Sequence, residues 1–135
     1  MNYDKDCIFC KISKGEIPSE KIYEDKNSLA FLDINPVNYG HVLIIPKEHY
    51  QWLYDVPDKI LSDLFINVKK IMKVIKKTYN CDYVAISVVG LDVPHFHIHI
   101  IPRWKSDGLA NFWPTKKYAD EDMKKTSDKI KSNLK

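Results

Sequence analysis

Three histidines at alternate positions are the residues of this chain best suited to chemistry. They lie in the run His95-Phe96-His97-Ile98-His99, whose alternation of polar and apolar residues is typical of a strand. Because successive strand side chains point to opposite faces, we expect the three imidazoles to share one face while Phe96 and Ile98 pack on the other. A buried imidazole needs partners for its ring nitrogens, so this face must meet a ligand, a metal ion or other polar groups.

A second group of residues could bind a metal ion. Cys7 and Cys10 form a Cys-x-x-Cys pair ahead of a short apolar segment, and histidines are available farther along the chain. Two sulfurs and two imidazole nitrogens are the ligands that a tetrahedral structural zinc prefers. A redox role is the alternative reading of Cys-x-x-Cys, but no thioredoxin-like strand precedes this pair.

Composition describes an ordinary globular protein. The 135 residues, 44% hydrophobic and 29% charged, predict a single domain over 1–135 with a proper core. The polar start of the chain lacks a secretory signal and no apolar run could span a membrane, so we expect a cytoplasmic protein with reduced thiols. The net charge of +3 comes with lysines on one helix face without interleaved aromatic residues, so nucleic acid is not an expected partner.

The elements that must position these residues follow from periodicity and breakers. Apolar residues recur at steps of three and four from Asp58 to about Tyr79, which predicts a long amphipathic helix. Alternating or β-branched runs predict strands, and shorter helical patterns lie near both termini. The expected strands are 21–24, 28–33, 41–45, 83–89 and 96–101, and the expected shorter helices are 8–14 and 120–134. This order predicts an α+β fold in which the long helix covers a mostly antiparallel sheet of about five strands.

At this point the residues carry a family resemblance. The run from His95 to Ile101, followed by Pro102 and Arg103, resembles the signature of the histidine triad (HIT) family. Further blocks resemble family blocks in the expected order along nearly the whole chain: Cys7-Ile8-Phe9-Cys10-Lys11-Ile12, Glu16-Ile17-Pro18, Tyr23-Glu24-Asp25, Ala30-Phe31-Leu32-Asp33-Ile34 and Gly40-His41-Val42-Leu43-Ile44-Ile45-Pro46-Lys47.

The resemblance implies a nucleotidyl hydrolase or transferase that cleaves at the α-phosphate of a nucleoside phosphoramidate or dinucleoside polyphosphate, with an AMP-containing purine nucleotide as substrate. By position in the motif His97 is the nucleophile, its second nitrogen held by the backbone carbonyl of His95. His99 hydrogen-bonds the phosphate or protonates the leaving group, and His41 supports the phosphate or the other imidazoles. A neutral imidazole is an available nucleophile at cellular pH.

The resemblance also assigns nucleotide-binding residues. The apolar slot for the base is formed by Phe9, Ile12, Phe31, Leu32 and Ile34, and Asp33 accepts hydrogen bonds from the ribose hydroxyls. The loop before the triad departs from the common family pattern, because it is shorter and lacks the Asn and Gln that hold the phosphate. Backbone N–H groups of Asp92 and Val93 could replace them, although a carboxylate at position 92 would repel an anion if it faced the phosphate.

Similarity to a zinc-containing subset of the family implies a structural zinc bound by Cys7, Cys10, His49 and His95. Family members are commonly homodimers, and the long helix could supply part of that interface. After the triad, Arg103 could meet a phosphate, and Trp104 or Trp113 in the Asn111–Pro114 segment could stack on a second base; packing roles are equally compatible with these residues.

Two other classes of function remain open on the sequence alone. The triad could bind a catalytic metal, because imidazoles two residues apart on a strand can share an ion. That reading tolerates loss of Cys7 and Cys10, whereas a structural zinc does not. Alternatively, the altered loop could belong to a nucleotide-binding regulator that binds AMP without turnover.

Overall fold

A computed structural model describes residues 2–110 and 113–134. Over these residues the chain forms a sheet of five strands in the order β1-β2-β3-β5-β4, and every neighbouring pair is antiparallel. The α+β class and the antiparallel sheet are therefore confirmed. The elements are α1 (Ile8–Ser13), β1 (Lys21–Glu24), β2 (Ser28–Leu32), β3 (Val42–Pro46), a 3-10 turn (Leu53–Asp55), α2 (Asp58–Tyr79), β4 (Tyr83–Ser87), β5 (Ile98–Arg103) and α3 (Asp122–Asn133).

The triad strand begins later than the alternation indicated. β5 starts at Ile98, so His95 and His97 precede it and only His99 lies within it. The partner strand β3 explains this start, because it ends at Pro46, which has no N–H to continue the ladder. At its other end β5 runs on to Arg103, where pairing with β4 supports it.

The two faces of the sheet pack against different helices. One face packs against α2, in a core that includes Ile44, Phe96, Ile98 and Ile100. The opposite face carries α1, in a second cluster that includes Phe9, Phe31, Leu43 and Ile45. Successive strand side chains point to opposite faces. His41 and His99 therefore lie on the α1 face, whereas their neighbours Val42 and Ile98 pack in the core against α2.

The long helix α2 packs against the side of the sheet opposite α1. Its buried residues Leu64, Val68, Ile71 and Ile75 each contribute roughly 1.5 to 3 kcal/mol by burial. The helix ends at Tyr79 and is capped by Asn80, which adopts a left-handed conformation with φ of 47° and donates its N–H to the carbonyl of Lys76. Among the described residues, no helix combines the length and apolar character needed to cross a membrane.

Candidate active site and metal centre

A cavity of about 450 Å³ opens on the α1 face of the sheet. The three histidines predicted to act in catalysis, His41, His97 and His99, line it. All eight residues predicted to bind the nucleotide line the same cavity: Phe9, Ile12, Phe31, Leu32, Asp33, Ile34, Asp92 and Val93. Residues from α1, β2, β3, β5 and the loop before the triad thus meet at one place, although they are far apart in sequence.

The wall of the cavity nearest α1 is aromatic. The ring of Phe9 meets the ring of Phe31 edge to face, with centroids 5.5 Å apart, and meets the His97 imidazole in the same manner at 5.1 Å. Phe9 and Phe31 are both buried, whereas Ile34 at the rim is 90% exposed. An aromatic and aliphatic slot that ends at a polar cluster is suited to a flat heteroaromatic ring with a polar substituent.

His97 is held by the main chain. Its Nδ1–H donates to the backbone carbonyl of His95 at 2.6 Å, and the side chain is buried. A carbonyl can only accept, so the proton of the neutral ring is on Nδ1 and the lone pair is on Nε2. The ring therefore presents a nucleophilic nitrogen at the cavity, beside the His99 ring at 4.9 Å between centroids.

His41 and His99 form a chain of hydrogen bonds whose direction is also fixed. The N–H of Val37 donates to His41 Nδ1 at 3.1 Å, so neutral His41 carries its proton on Nε2. That nitrogen lies 2.9 Å from His99 Nδ1 and donates to it. Neutral His99 must then carry its proton on Nε2, which makes it a hydrogen-bond donor within the cavity.

Burial keeps these imidazoles uncharged. Burial lowers the pKa of His99 to about 4, and nearby His97 and His41 lower it too, against the opposite effects of Asp33 and Asp92. Burial also lowers the pKa of His41, although Asp33 raises it. At neutral pH both rings therefore act through fixed N–H and lone-pair positions rather than as cations.

Cys7, Cys10, His49 and His95 come together beside the cavity. Cys7 Sγ lies 3.4 Å from His95 Nδ1, and Cys10 Sγ lies 3.3 Å from His49 Nδ1 and 3.5 Å from His95 Nδ1. All four ligand atoms lie within 4.8 Å of one another. Zinc with ordinary bond lengths and tetrahedral angles places sulfur and nitrogen ligands about 3.6 Å apart, so this Cys2His2 cluster fits that ion.

The surroundings of the cluster also fit a metal. His95 Nε2–H donates to the carbonyl of Pro46 at 2.8 Å, which leaves the Nδ1 lone pair directed at the cysteines. Cys7 Sγ accepts the N–H of Cys10 at 3.4 Å. Such outer hydrogen bonds set the tautomer and orientation of metal ligands. Burial lowers the pKa of His95 to about 4, so its lone pair is available at neutral pH.

A second group of possible metal ligands, Asp33, His41 and His99, does not fit an ion. His41 Nε2 would have to offer a lone pair, but the Val37 N–H at Nδ1 requires the proton to be on Nε2. The hydrogen bond from His41 to His99 uses the same atoms. This group is therefore better described as a hydrogen-bonded pair of neutral imidazoles with a nearby carboxylate in the candidate active site.

Two aromatic or basic residues that follow the triad lie elsewhere. Arg103 pairs with Asp107 through its Nε at 2.6 Å, and both side chains are nearly buried. The ring of Trp104 meets Tyr79 edge to face. Neither residue lines the cavity, and these contacts correspond to the packing alternative that the sequence left open for both residues. Asn111 and Phe112 of the suggested stacking segment lie outside the described residues.

Some residues of the site escaped sequence reasoning. Val37 and Pro46 act through backbone atoms that fix the tautomers of His41 and His95, and no side-chain pattern reveals a backbone contact. Leu43 also lines the cavity. It had a usable signal, since it lies two residues after His41 on the same face of β3.

Comparison with known proteins agrees with this geometry. A family model described as the HIT domain matches residues 14–106. Adenosine 5′-monophosphoramidase HNT1 of Saccharomyces cerevisiae is 47% identical over 113 residues, covering 82% of this chain and 72% of the yeast protein. A HIT family structure from Bacillus subtilis superposes with a TM-score of 0.87 at 39% identity, covering 97% of this chain and 99% of that chain.

A zinc-bound histidine triad family protein from Mycobacterium smegmatis has a TM-score of 0.73 at 32% identity, covering 82% of this chain and 84% of that chain. The family match extends over more than half of the sequence, and the fold and the clustered histidines are consistent with it. On these grounds the chain is a member of the HIT family.

Proposed function

We propose that this protein hydrolyses or transfers nucleotidyl groups by cleaving a nucleotide at its α-phosphate through a covalent intermediate on His97. The observation that carries the proposal is the hydrogen bond from His97 Nδ1–H to the His95 carbonyl, which leaves a lone pair on Nε2 beside an apolar slot. The name of the yeast relative, an adenosine 5′-monophosphoramidase, supports a substrate that contains AMP.

In the first step, His97 Nε2 forms a bond to phosphorus. The bond from phosphorus to the leaving group breaks with its electron pair going to that group, and an amine leaving group takes a proton from water. His99 Nε2–H donates a hydrogen bond to a phosphoryl oxygen, because its burial favours a neutral donor over a proton-releasing cation. Positioning by fixed donors and a held nucleophile lowers the barrier without any movement of the sheet.

In the second step, water attacks the phosphorus of the nucleotidyl-His97 intermediate. The phosphorus–nitrogen bond breaks, its electron pair returns to Nε2, and the surplus proton passes to solvent. Phe9, Ile12, Phe31, Leu32 and Ile34 would hold the base in the apolar slot. Asp33 would accept from the ribose hydroxyls, while the backbone N–H groups of Asp92 and Val93 would approach the phosphate.

We propose that the Cys2His2 cluster holds a structural zinc ion. When bound, zinc would stabilise the fold locally by tying the start of α1 to the segment that follows β3 and to the triad. His95 links the two centres, because its ring belongs to the cluster and its carbonyl holds His97. His95 is consequently unavailable for acid–base chemistry.

The first test is release of AMP from adenosine 5′-phosphoramidate by the purified protein and by a His97→Ala variant. We expect release by the parent protein and at least a thousandfold loss in the variant, since removing a nucleophile leaves only binding effects. AMP binding and the unfolding midpoint of the variant serve as controls for folding. Release that survives in the variant would refute the nucleophile.

The same purified proteins distinguish the two alternative functions, a nucleotide-binding regulator and an enzyme with a catalytic metal in the triad. A regulator without turnover binds AMP and cleaves neither phosphoramidates nor polyphosphates. A catalytic metal in the triad predicts that a chelator abolishes turnover even in variants that lack Cys7 and Cys10. The hydrogen-bonded tautomers of His41 and His99 favour the metal-free mechanism.

We also propose that the protein acts as a cytoplasmic homodimer. The outward face of α2 exposes Ile66 at 52% and Val74 at 59%, an apolar surface that a second copy would cover. All three cysteines are buried free thiols, which suits a reducing compartment. Light scattering of the parent and of an Ile66→Glu variant tests the dimer: the parent should have twice the chain mass and the variant should be monomeric.

A further inference from the structure

We propose that Asp92 makes this site selective for amine leaving groups over phosphate leaving groups. The inference deepens the proposed function and rests on it, because it concerns which bond to the α-phosphate is cleaved. It distinguishes phosphoramidates from dinucleoside polyphosphates, the two substrate classes that the histidine chemistry alone leaves equivalent.

Asp92 lies at the reacting end of the cavity. It lines the cavity together with His97 and His99. The adjacent backbone is fixed, since the N–H of His95 donates to the carbonyl of Val93 at 2.8 Å. Asp92 is exposed to solvent and shares the cavity with His97, the proposed nucleophile, so we place the departing group beside its carboxylate.

The cavity lining contains carboxylates but, among the described residues, no lysine or arginine. Of the described residues that line it, Asp33 and Asp92 are the ones with an ionisable carboxylate, and none is a lysine or an arginine. Arg103 is committed to Asp107 outside the cavity, and Lys47 to Glu24. Since burial holds His41 and His99 neutral at pH 7, the cavity carries net negative charge.

This balance distinguishes the two kinds of leaving group. Sites that bind polyphosphates commonly use Arg, Lys or a metal ion to offset the charge of the added phosphates. Here an added phosphate would meet a carboxylate instead, which raises its free energy both when bound and on departure. An amine is uncharged in the substrate and becomes an ammonium once released and protonated, so the same carboxylate attracts it.

The test compares kcat/KM for adenosine 5′-phosphoramidate and diadenosine tetraphosphate in the parent protein and in an Asp92→Asn variant. Removing one unit of charge that is partly screened by solvent predicts that the ratio of kcat/KM for the phosphoramidate to kcat/KM for the tetraphosphate falls about tenfold. The tetraphosphate should gain and the phosphoramidate should lose.

Two further variants sharpen the comparison. Asp63→Asn makes the same chemical change on α2, on the opposite side of the sheet and outside the cavity, and should leave the ratio unchanged. Asp92→Glu keeps the charge and should keep the preference. A parent protein that favours the tetraphosphate, or an Asp92→Asn ratio within twofold of the parent, would overturn the inference.

Binding separates failure of this inference from failure of the proposed function. Titration with AMP and with adenosine 5′-tetraphosphate needs no turnover. We expect the parent protein to bind the tetraphosphate more weakly than AMP, and Asp92→Asn to reduce that difference. That binding pattern without AMP release would refute the covalent mechanism and support charge selection by Asp92. AMP release that depends on His97, together with equal binding of AMP and adenosine 5′-tetraphosphate, would support the covalent mechanism and refute the charge selection.

Discussion

Replacing Cys10 by serine tests whether a metal ion supports the site. Cys10 is fully buried, and its sulfur is 3.3 Å from His49 Nδ1 and 3.5 Å from His95 Nδ1. A serine oxygen is a poorer zinc ligand and binds at a distance roughly 0.3 Å shorter than sulfur, so it fails to reach an ion held by the other three residues. We therefore expect Cys10→Ser to lose zinc.

The size of the effect follows from complete loss of the ion. Structural zinc contributes roughly 10 to 16 kcal/mol in small peptides that do not fold without it; because this chain also has a hydrophobic core of its own, we expect a smaller loss, of at least about 3 kcal/mol of unfolding free energy. For a chain of this length that corresponds to a fall in Tm of about 10 °C. The segment that moves first should be α1, because six residues are too few to form a helix without tertiary support.

The assay pairs metal analysis with calorimetry on the parent protein, Cys10→Ser and a matched control, Cys81→Ser. Cys81 is equally buried but lies outside the Cys2His2 cluster. Its replacement should cost about 1 to 2 kcal/mol through burial of a hydroxyl and should leave one zinc ion per chain. Full zinc content in Cys10→Ser, or equal stability of the two variants, would refute the assignment of the cluster.

Three further predictions concern the framework of the site. Although burial raises the pKa of Asp25, hydrogen bonds from neighbouring donors hold it at about 2; its ionised form thus stabilises the fold above its ordinary pKa. In urea unfolding, the parent should exceed Asp25→Asn by about 2 kcal/mol at pH 7, and the difference should vanish as the pH falls from about 4 to 2. Gly40 has φ of 98°, and a Cβ there would lie 2.7 Å from Tyr79 Cζ. In urea unfolding, Gly40→Ala should lower the free energy of unfolding by about 3 kcal/mol in the parent protein, but by only about 1 to 2 kcal/mol in a Tyr79→Ala background, where the ring is absent. Asp107→Ala removes the carboxylate that pairs with Arg103 and leaves the carbonyls of Leu109 and Ala110 as acceptors; it should lower the midpoint of chemical denaturation, and an unchanged midpoint would contradict that role.

The sequence was most informative where side-chain type and periodicity determine the outcome. The recurrence of Leu64, Val68, Ile71 and Ile75 predicted α2 with both of its bounds, because burial of an amphipathic face depends on spacing alone. The family resemblance brought together residues of the cavity from five segments, which no local pattern could do.

The missed features depend on backbone geometry. Alternation alone extended the triad strand back to Phe96, because it takes no account of a partner strand that ends at Pro46. The backbone N–H of Val37 fixes the tautomers of His41 and His99, yet every residue except proline offers that group. The sequence leaves a phosphate contact and a salt bridge equally open for Arg103, and no local pattern identifies Asp107 as its partner.

The central claim is that His97 carries the nucleotidyl group, and trapping that species tests it most directly. The protein is mixed with adenosine 5′-phosphoramidate, quenched within milliseconds in alkaline denaturant to preserve the phosphorus–nitrogen bond, and examined by intact and tandem mass spectrometry. We predict a mass increase of one adenylyl group, located on His97 and absent from His97→Ala. Rapid AMP release without any adenylylated protein, or an adenylyl group on another residue, would contradict the account.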